Sequence, residues 1–135
     1  MKTPPCVMIL EGDILIRHPV AEYLRDCGYR VIQAASTDEA RAILAQHRRF
    51  AVQIVLADLN APGTENAFAL CAWIRAHRKG VAVITAGSVN SATEKAGEIC
   101  KGGPALTKPY DHQTVRDQIR RALAARARRA PANKS

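Results

Sequence analysis

Residues 52–58 read V-Q-I-V-L-A-D, and the loop that follows, 59–64, reads L-N-A-P-G-T. Apart from Gln53, residues 52–57 form one apolar run, closed by a Pro-Gly turn signal. A short continuous run of this kind predicts a strand covered on both faces. Such strands belong to parallel sheets, whose crossover helices cover both sides. The run ends in a carboxylate, Asp58. Working outward, comparable runs occur at 7–10 (V-M-I-L), 30–34 (R-V-I-Q-A), 81–85 (V-A-V-I-T) and 105–107 (A-L-T).

The segments between them have helical periodicity. Val20, Tyr23, Leu24 and Cys27 share one face of a first helix, which Gly28 stops. Ser36 and Glu39, in S-T-D-E, form a capping box for a second helix, with Ala40, Ile43, Leu44 and His47 on one face. A third helix turns Ala67, Leu70, Cys71 and Ile74 inward. Residues 86–103 are rich in Gly, Ser and Asn, with a weak helix expected over 92–99. Asp111 caps a last helix with Val115, Ile119, Ala122 and Leu123 inward, and the chain frays after residue 130. Five strands alternating with helices predict an α/β fold: a parallel sheet with helices on both faces.

Composition supports one domain. The chain has 135 residues, of which 47% are hydrophobic and 24% charged, enough for a core without metal or disulfide support. The net charge of +8 and pI of about 9.8 invite a nucleic-acid reading. Residues 116–135, however, carry seven basic side chains against Asp117 alone, so the remaining body is close to neutral. Cys6, Cys27, Cys71 and Cys100 form no C-x-x-C pair, and the histidines complete no metal-ligand spacing. All four cysteines are expected to be buried free thiols, and Trp73 and the histidines core or solvated surface. The early apolar run 6–10 is too short for a secretory signal or a span, so a cytoplasmic location away from the membrane is expected.

In an open α/β sheet ligands bind beyond the carboxyl ends of the strands. Those ends carry Glu11-Gly12-Asp13, Ser36, Asp58, Thr85 and Thr107-Lys108-Pro109. With strand order 2-1-3-4-5, Glu11, Asp58, Thr85 and Lys108 converge on one crevice. A carboxylate there can act as a nucleophile toward phosphorus. A hard cation held by carboxylates would offset the phosphoryl charge, and a lysine and a hydroxyl would bind its oxygens.

Four stretches, V-M-I-L-E-G-D, V-L-A-D-L-N-A-P-G, V-I-T-A-G and L-T-K-P-Y, carry a resemblance to the receiver domains of two-component response regulators over about residues 5–125. That leaves 126–135 as a basic C-terminal tail. The resemblance implies a flavodoxin-like, doubly wound five-stranded parallel sheet. It also implies phosphoryl transfer to Asp58 from a histidine kinase or phosphotransfer protein, with Thr85 and Lys108 binding the phosphoryl group. Mg²⁺ would be held by Glu11, Asp13, Asp58 and the main-chain carbonyl of Asn60. The family's interaction face, around the fifth strand and last helix, would contain Lys101, Tyr110, Arg116, Arg120 and Arg121.

Three positions depart from the pattern. Gly12 replaces the usual second acidic residue, so weak Mg²⁺ binding is expected if Glu11 and Asp58 hold it alone. Ala61 replaces a common Met, and Ala105 stands where many receivers carry an aromatic switch residue. The expected function is a stand-alone receiver, a signalling module and not an enzyme, that acts through protein–protein contact, another regulator being one partner. The alternative is a pseudo-receiver that binds its partner without phosphorylation. Nucleic acid is a weaker reading. The basic A-R-A-R-R-A run has no aromatic residue for base stacking beyond Tyr110, and no helix-turn-helix follows it. An E-G-D-I-L-I turn without G-x-G-x-x-G argues against a dinucleotide enzyme.

Overall fold

A computed structural model describes residues 3–46, 49–87, 105–107 and 110–129. Its elements run β1 (Cys6–Leu10), α1 (Ile14–Asp26), β2 (Arg30–Ala34), α2 (Thr37–Ala45), β3 (Ile54–Asp58), α3 (Ala67–His77), β4 (Ala82–Gly87), β5 (Ala105–Thr107) and α4 (His112–Arg129). His47, Cys100, Lys101, Lys108, the expected helix 92–99 and the residues after 129 lie outside the described residues.

The sheet is parallel throughout, in the order β2-β1-β3-β4-β5. The alternation of strand side chains divides the core in two. Met8 and Leu10 of β1 and Val55 and Ala57 of β3 point to one side, where Ala40 and Leu44 of α2 and Leu70 and Ile74 of α3 cover them. Val7, Ile9, Ile54 and Leu56 point to the other, against Val20 and Leu24 of α1 and Val115 and Ile119 of α4. This two-sided burial is why the central strands read as unbroken apolar runs. Leu56 is fully buried on β3. Leu56→Ala is expected to lower stability by about 2–5 kcal/mol, measured by urea denaturation.

Polar side chains set the helix starts. Asp13 Oδ1 accepts from Leu15 N at 2.9 Å and caps α1. Ser36 Oγ accepts from Glu39 N at 3.2 Å, while Glu39 Oε1 reaches back to Ala35 N at 2.7 Å, one residue beyond the usual capping-box partner. Asn66 caps α3 through Ala69 N at 2.8 Å. Asp111 accepts from the Thr114 hydroxyl at 2.6 Å and from Thr114 N at 3.2 Å, and these bonds hold its carboxyl below the ordinary range. Pro19 lies inside α1 and donates no amide hydrogen. The carbonyl it leaves unserved belongs to Leu15, whose 81% exposure admits water.

Three features differ from the sequence reading. Cys27 is exposed although its spacing puts it on the inner face, because α1 ends at Asp26 and Gly28, at φ +99°, turns the chain away. Strand β3 begins at Ile54 rather than at residue 52. Gln53, just before it, uses its side-chain oxygen to accept from Cys6 N at 3.1 Å. The last helix continues through Arg129, so residues 126–129 are helical, and Arg126 Nε donates to Gly80 O at 2.5 Å.

Candidate functional site

Glu11, Asp58 and Thr85 lie toward the carboxyl ends of three adjacent strands, Thr85 two residues before β4 ends at Gly87. Register places them: Leu10 of β1 is level with Ala57 of β3, and Ala57 is level with Thr85 of β4. Glu11 therefore follows β1 at the level where Asp58 ends β3. All three side chains are buried, with Glu11 at 2%, Asp58 at 3% and Thr85 at 0% exposure. Ala105 of β5 is level with Thr85, so the chain leading to Lys108 leaves the sheet on that side. Lys108 itself lies outside the described residues.

Local hydrogen bonds orient the two carboxylates. Asp58 Oδ1 accepts from Asn60 N at 3.0 Å, closing a turn directly after the strand. Glu11 Oε2 accepts from Asp13 N at 3.1 Å. Arg17 was not among the expected site residues. Its Nη1 donates to Glu11 O at 2.8 Å and its Nε to Gln33 Oε1 at 2.9 Å, placing a guanidinium beside the acidic end of β1. Arg17 lies one helical turn beyond Asp13, and no motif in the sequence marks it.

Asp13 is an exposed residue whose Oδ1 is engaged by the first turn of α1. At Gly12, an added Cβ would lie 2.8 Å from Pro62 Cδ and 3.2 Å from Pro62 Cγ. The proline ring thus occupies the space that any larger residue at 12 would need. The loop carrying Pro62 is itself tied to α2. Thr37 N donates to Pro62 O at 2.8 Å, and Thr37 Oγ1 to Glu65 O at 2.7 Å. Thr64 N donates to Asp38 Oδ2 at 3.1 Å, and Arg41 pairs with Glu65 at 3.0 Å. Gly63, at φ +146°, lies against Thr37, where a Cβ would fall 1.9 Å from Oγ1. The P-G dipeptide signalled the turn, but nothing local signalled its partner.

Tyr110 was expected on the interaction face. Instead its ring is partly buried against the core on the α1–α4 side, and its hydroxyl is buried with no hydrogen-bond partner among the described residues. Burial, and then the negative charges of Glu11 and Asp58, push the phenol well above its ordinary range. Tyr110 is therefore a neutral group close to the acidic end of the sheet. Arg116 pairs with Asp117 at 3.3 Å, and the charges of Arg120 and Arg116 both act on Tyr29. That places these two arginines toward the α1 side of α4. Arg120 and Arg121 are exposed.

Among the described residues, no three acidic, His or Cys side chains gather as metal ligands. The donors at hand are the Glu11 and Asp58 carboxylates and main-chain oxygens of the 58–60 turn. This set matches the way Mg²⁺ is usually bound, by one or two carboxylates with water and phosphate oxygens completing the octahedron. It contains one carboxylate fewer than the expected set, because Asp13 serves as a cap.

Residues 7–124 match the response regulator receiver domain, and the chain belongs to that family, the receiver domains of two-component signalling. The transcriptional regulatory protein AruR of Pseudomonas aeruginosa is 26% identical over 141 aligned positions, covering all of this chain and 57% of that protein. The chain thus spans little more than half the length of that curated relative. The chemotaxis response regulator CheY4 of Vibrio cholerae is 26% identical, with a TM-score of 0.74 over 90% of this chain and 100% of that one. The signal receiver domain of an HD domain-containing protein from Pseudomonas fluorescens shares the fold at TM-score 0.81 and 20% identity, over 93% and 98% of the two chains. Receiver domains of two-component systems interact with histidine kinases or phosphotransfer proteins and typically bind Mg²⁺ at the acidic pocket. Among the described residues no helix is long and apolar enough to cross a membrane.

Proposed function

We propose that Asp58 accepts a phosphoryl group from a phosphohistidine of a kinase or phosphotransfer protein, and that the domain signals by protein–protein contact. The convergence of buried Glu11, Asp58 and Thr85 at three neighbouring strand ends carries this reading. A carboxylate oxygen of Asp58 forms the new O–P bond as the donor's N–P bond breaks, and the imidazole nitrogen keeps the electron pair. The Asn60 amide on Oδ1 holds the carboxylate in a fixed orientation for this attack. Thr85 offers a hydroxyl to the phosphoryl oxygens, and Lys108 supplies the balancing charge. Glu11, Asp58 and the Asn60 carbonyl would hold Mg²⁺, which supplies charge neutralisation when bound.

Ile14 and Leu15, exposed at 57% and 81% at the start of α1, give the rim beside this pocket an apolar character suited to a docking protein. A second reading is favoured by Gly12 and by the capping role of Asp13: a pseudo-receiver that binds its partner unphosphorylated.

Intact-mass measurement after treatment with acetyl phosphate tests the first reading. We expect one phosphoryl adduct with Mg²⁺ present and none after chelation. Uptake is expected to need millimolar Mg²⁺ because one carboxylate is missing, so its rate should still be rising through that range. No adduct at any Mg²⁺ concentration would leave only the pseudo-receiver.

A further inference from the structure

A second polar site lies at the opposite end of the sheet from the acidic pocket. It is a cleft of about 410 Å³ where the chain enters β1, β2 and β3, bordered by Thr3, Gln53, Arg30, Arg78 and Arg126. The volume falls within the range of small-molecule sites. Three arginines line it, and no carboxylate does among the described residues.

The three guanidiniums are held by main-chain oxygens. Arg30 Nε donates to Pro4 O at 3.0 Å, Arg126 Nε to Gly80 O at 2.5 Å, and Arg78 Nη1 to Leu44 O. Among the described residues none of the three forms an ion pair, in contrast to Arg25, Arg41 and Arg116, which pair with Glu22, Glu65 and Asp117. Arg30 and Arg126 are anchored through Nε, and among the described residues no acceptor engages an η nitrogen of either side chain. Those are the donors that form a bidentate fork on a phosphate. Gln53 has its oxygen committed to Cys6 N and retains its NH₂ as a donor. Burial already disfavours the charge on Arg78. Like charges gathered at one cleft repel, and an anion of two or more charges relieves that repulsion.

We propose that this cleft binds a small phosphate-bearing anion, with Arg30 and Arg126 supplying the bidentate contacts and Arg78 the third charge. The site is separate from Asp58, and it stands or falls independently of phosphorylation there.

Titration calorimetry with pyrophosphate and with ATP at physiological salt, together with amide chemical shifts, provides the test. The wild-type chain is expected to bind saturably, with shifts centred on Arg30, Gln53 and Gly80. Arg30→Gln/Arg126→Gln should weaken binding by about tenfold or more, since each charge-assisted contact contributes at least that order. Arg121→Gln/Arg128→Gln removes the same net charge from exposed positions on α4 and should leave affinity unchanged. Arg30→Lys/Arg126→Lys keeps the charge and removes the fork, so an intermediate loss is expected even if the glutamine variant folds poorly. Tighter binding of ATP than of pyrophosphate identifies a nucleotide as the source, and equal binding identifies the phosphoryl groups alone. No saturable binding, or an equal loss in the α4 variant, overturns the proposal.

Discussion

An Asp58→Asn variant takes up no phosphoryl group from acetyl phosphate, and its thermal unfolding stays close to that of the parent chain. The loss is complete because an amide nitrogen is not a nucleophile toward phosphorus under these conditions, whereas a carboxylate is. The fold survives because Asn keeps the shape of Asp and retains a carbonyl oxygen for the Asn60 amide that now binds Oδ1. Intact mass reads the adduct, and scanning calorimetry reads the stability. An adduct that persists in the variant would place the acceptor elsewhere. Partner binding by the same protein separates the two readings of function: loss supports a phosphorylation-dependent output, and unchanged binding supports a pseudo-receiver.

Gly12→Asp, the substitution that restores the family's acidic pair, is expected to destabilise the domain by about 1–3 kcal/mol and to leave Mg²⁺ affinity unimproved. The added Cβ would lie 2.8 Å from Pro62 Cδ, and a proline ring cannot swing aside because it is closed onto its own backbone. Retreat of the loop would break the Thr37–Pro62 hydrogen bond and strain the Thr37–Glu65 and Asp38–Thr64 contacts that tie it to α2. Pro62→Ala deletes both contacting ring atoms. The double variant Gly12→Asp/Pro62→Ala should therefore regain much of the lost stability. It should also bind Mg²⁺ about tenfold or more tightly than the parent, because a third carboxylate then faces the cation. Urea denaturation and Mg²⁺ titration check both steps. Tight Mg²⁺ binding by the single Gly12→Asp variant would show that the loop yields easily and that the proline does not control the site.

These two positions differ in how far the sequence could reveal them. Asp58 was legible because it closes an apolar run, and a polar residue at the end of a buried strand must lie at the sheet's edge. Glu11, directly after β1, follows the same rule, whereas Thr85 closes the apolar run in the sequence but lies two residues short of the end of β4 at Gly87; parallel order still brings all three toward one end. The inward faces of α3 and α4 were legible for a related reason: the helical period repeats locally, so Leu70, Ile74, Val115 and Ile119 declare their side without reference to the rest of the chain. The error at Cys27 shows the limit of that rule, since periodicity does not say where the last turn ends.

The sequence alone determined the class of fold, the order of elements and the residues at the strand ends, because each follows from periodicities and breaks that span a few residues. Tertiary structure alone decided what surrounds those residues. Gly12 meets Pro62 across 50 positions, Thr37 holds Glu65 across 28, Tyr110 brings its phenol back toward Glu11 and Asp58, and Arg126 reaches Gly80 across 46. Contacts between distant segments depend on how helices settle on the sheet and leave no local pattern. For that reason the acidic end could be anticipated, while the proline that closes it and the arginine cleft at the other end could not.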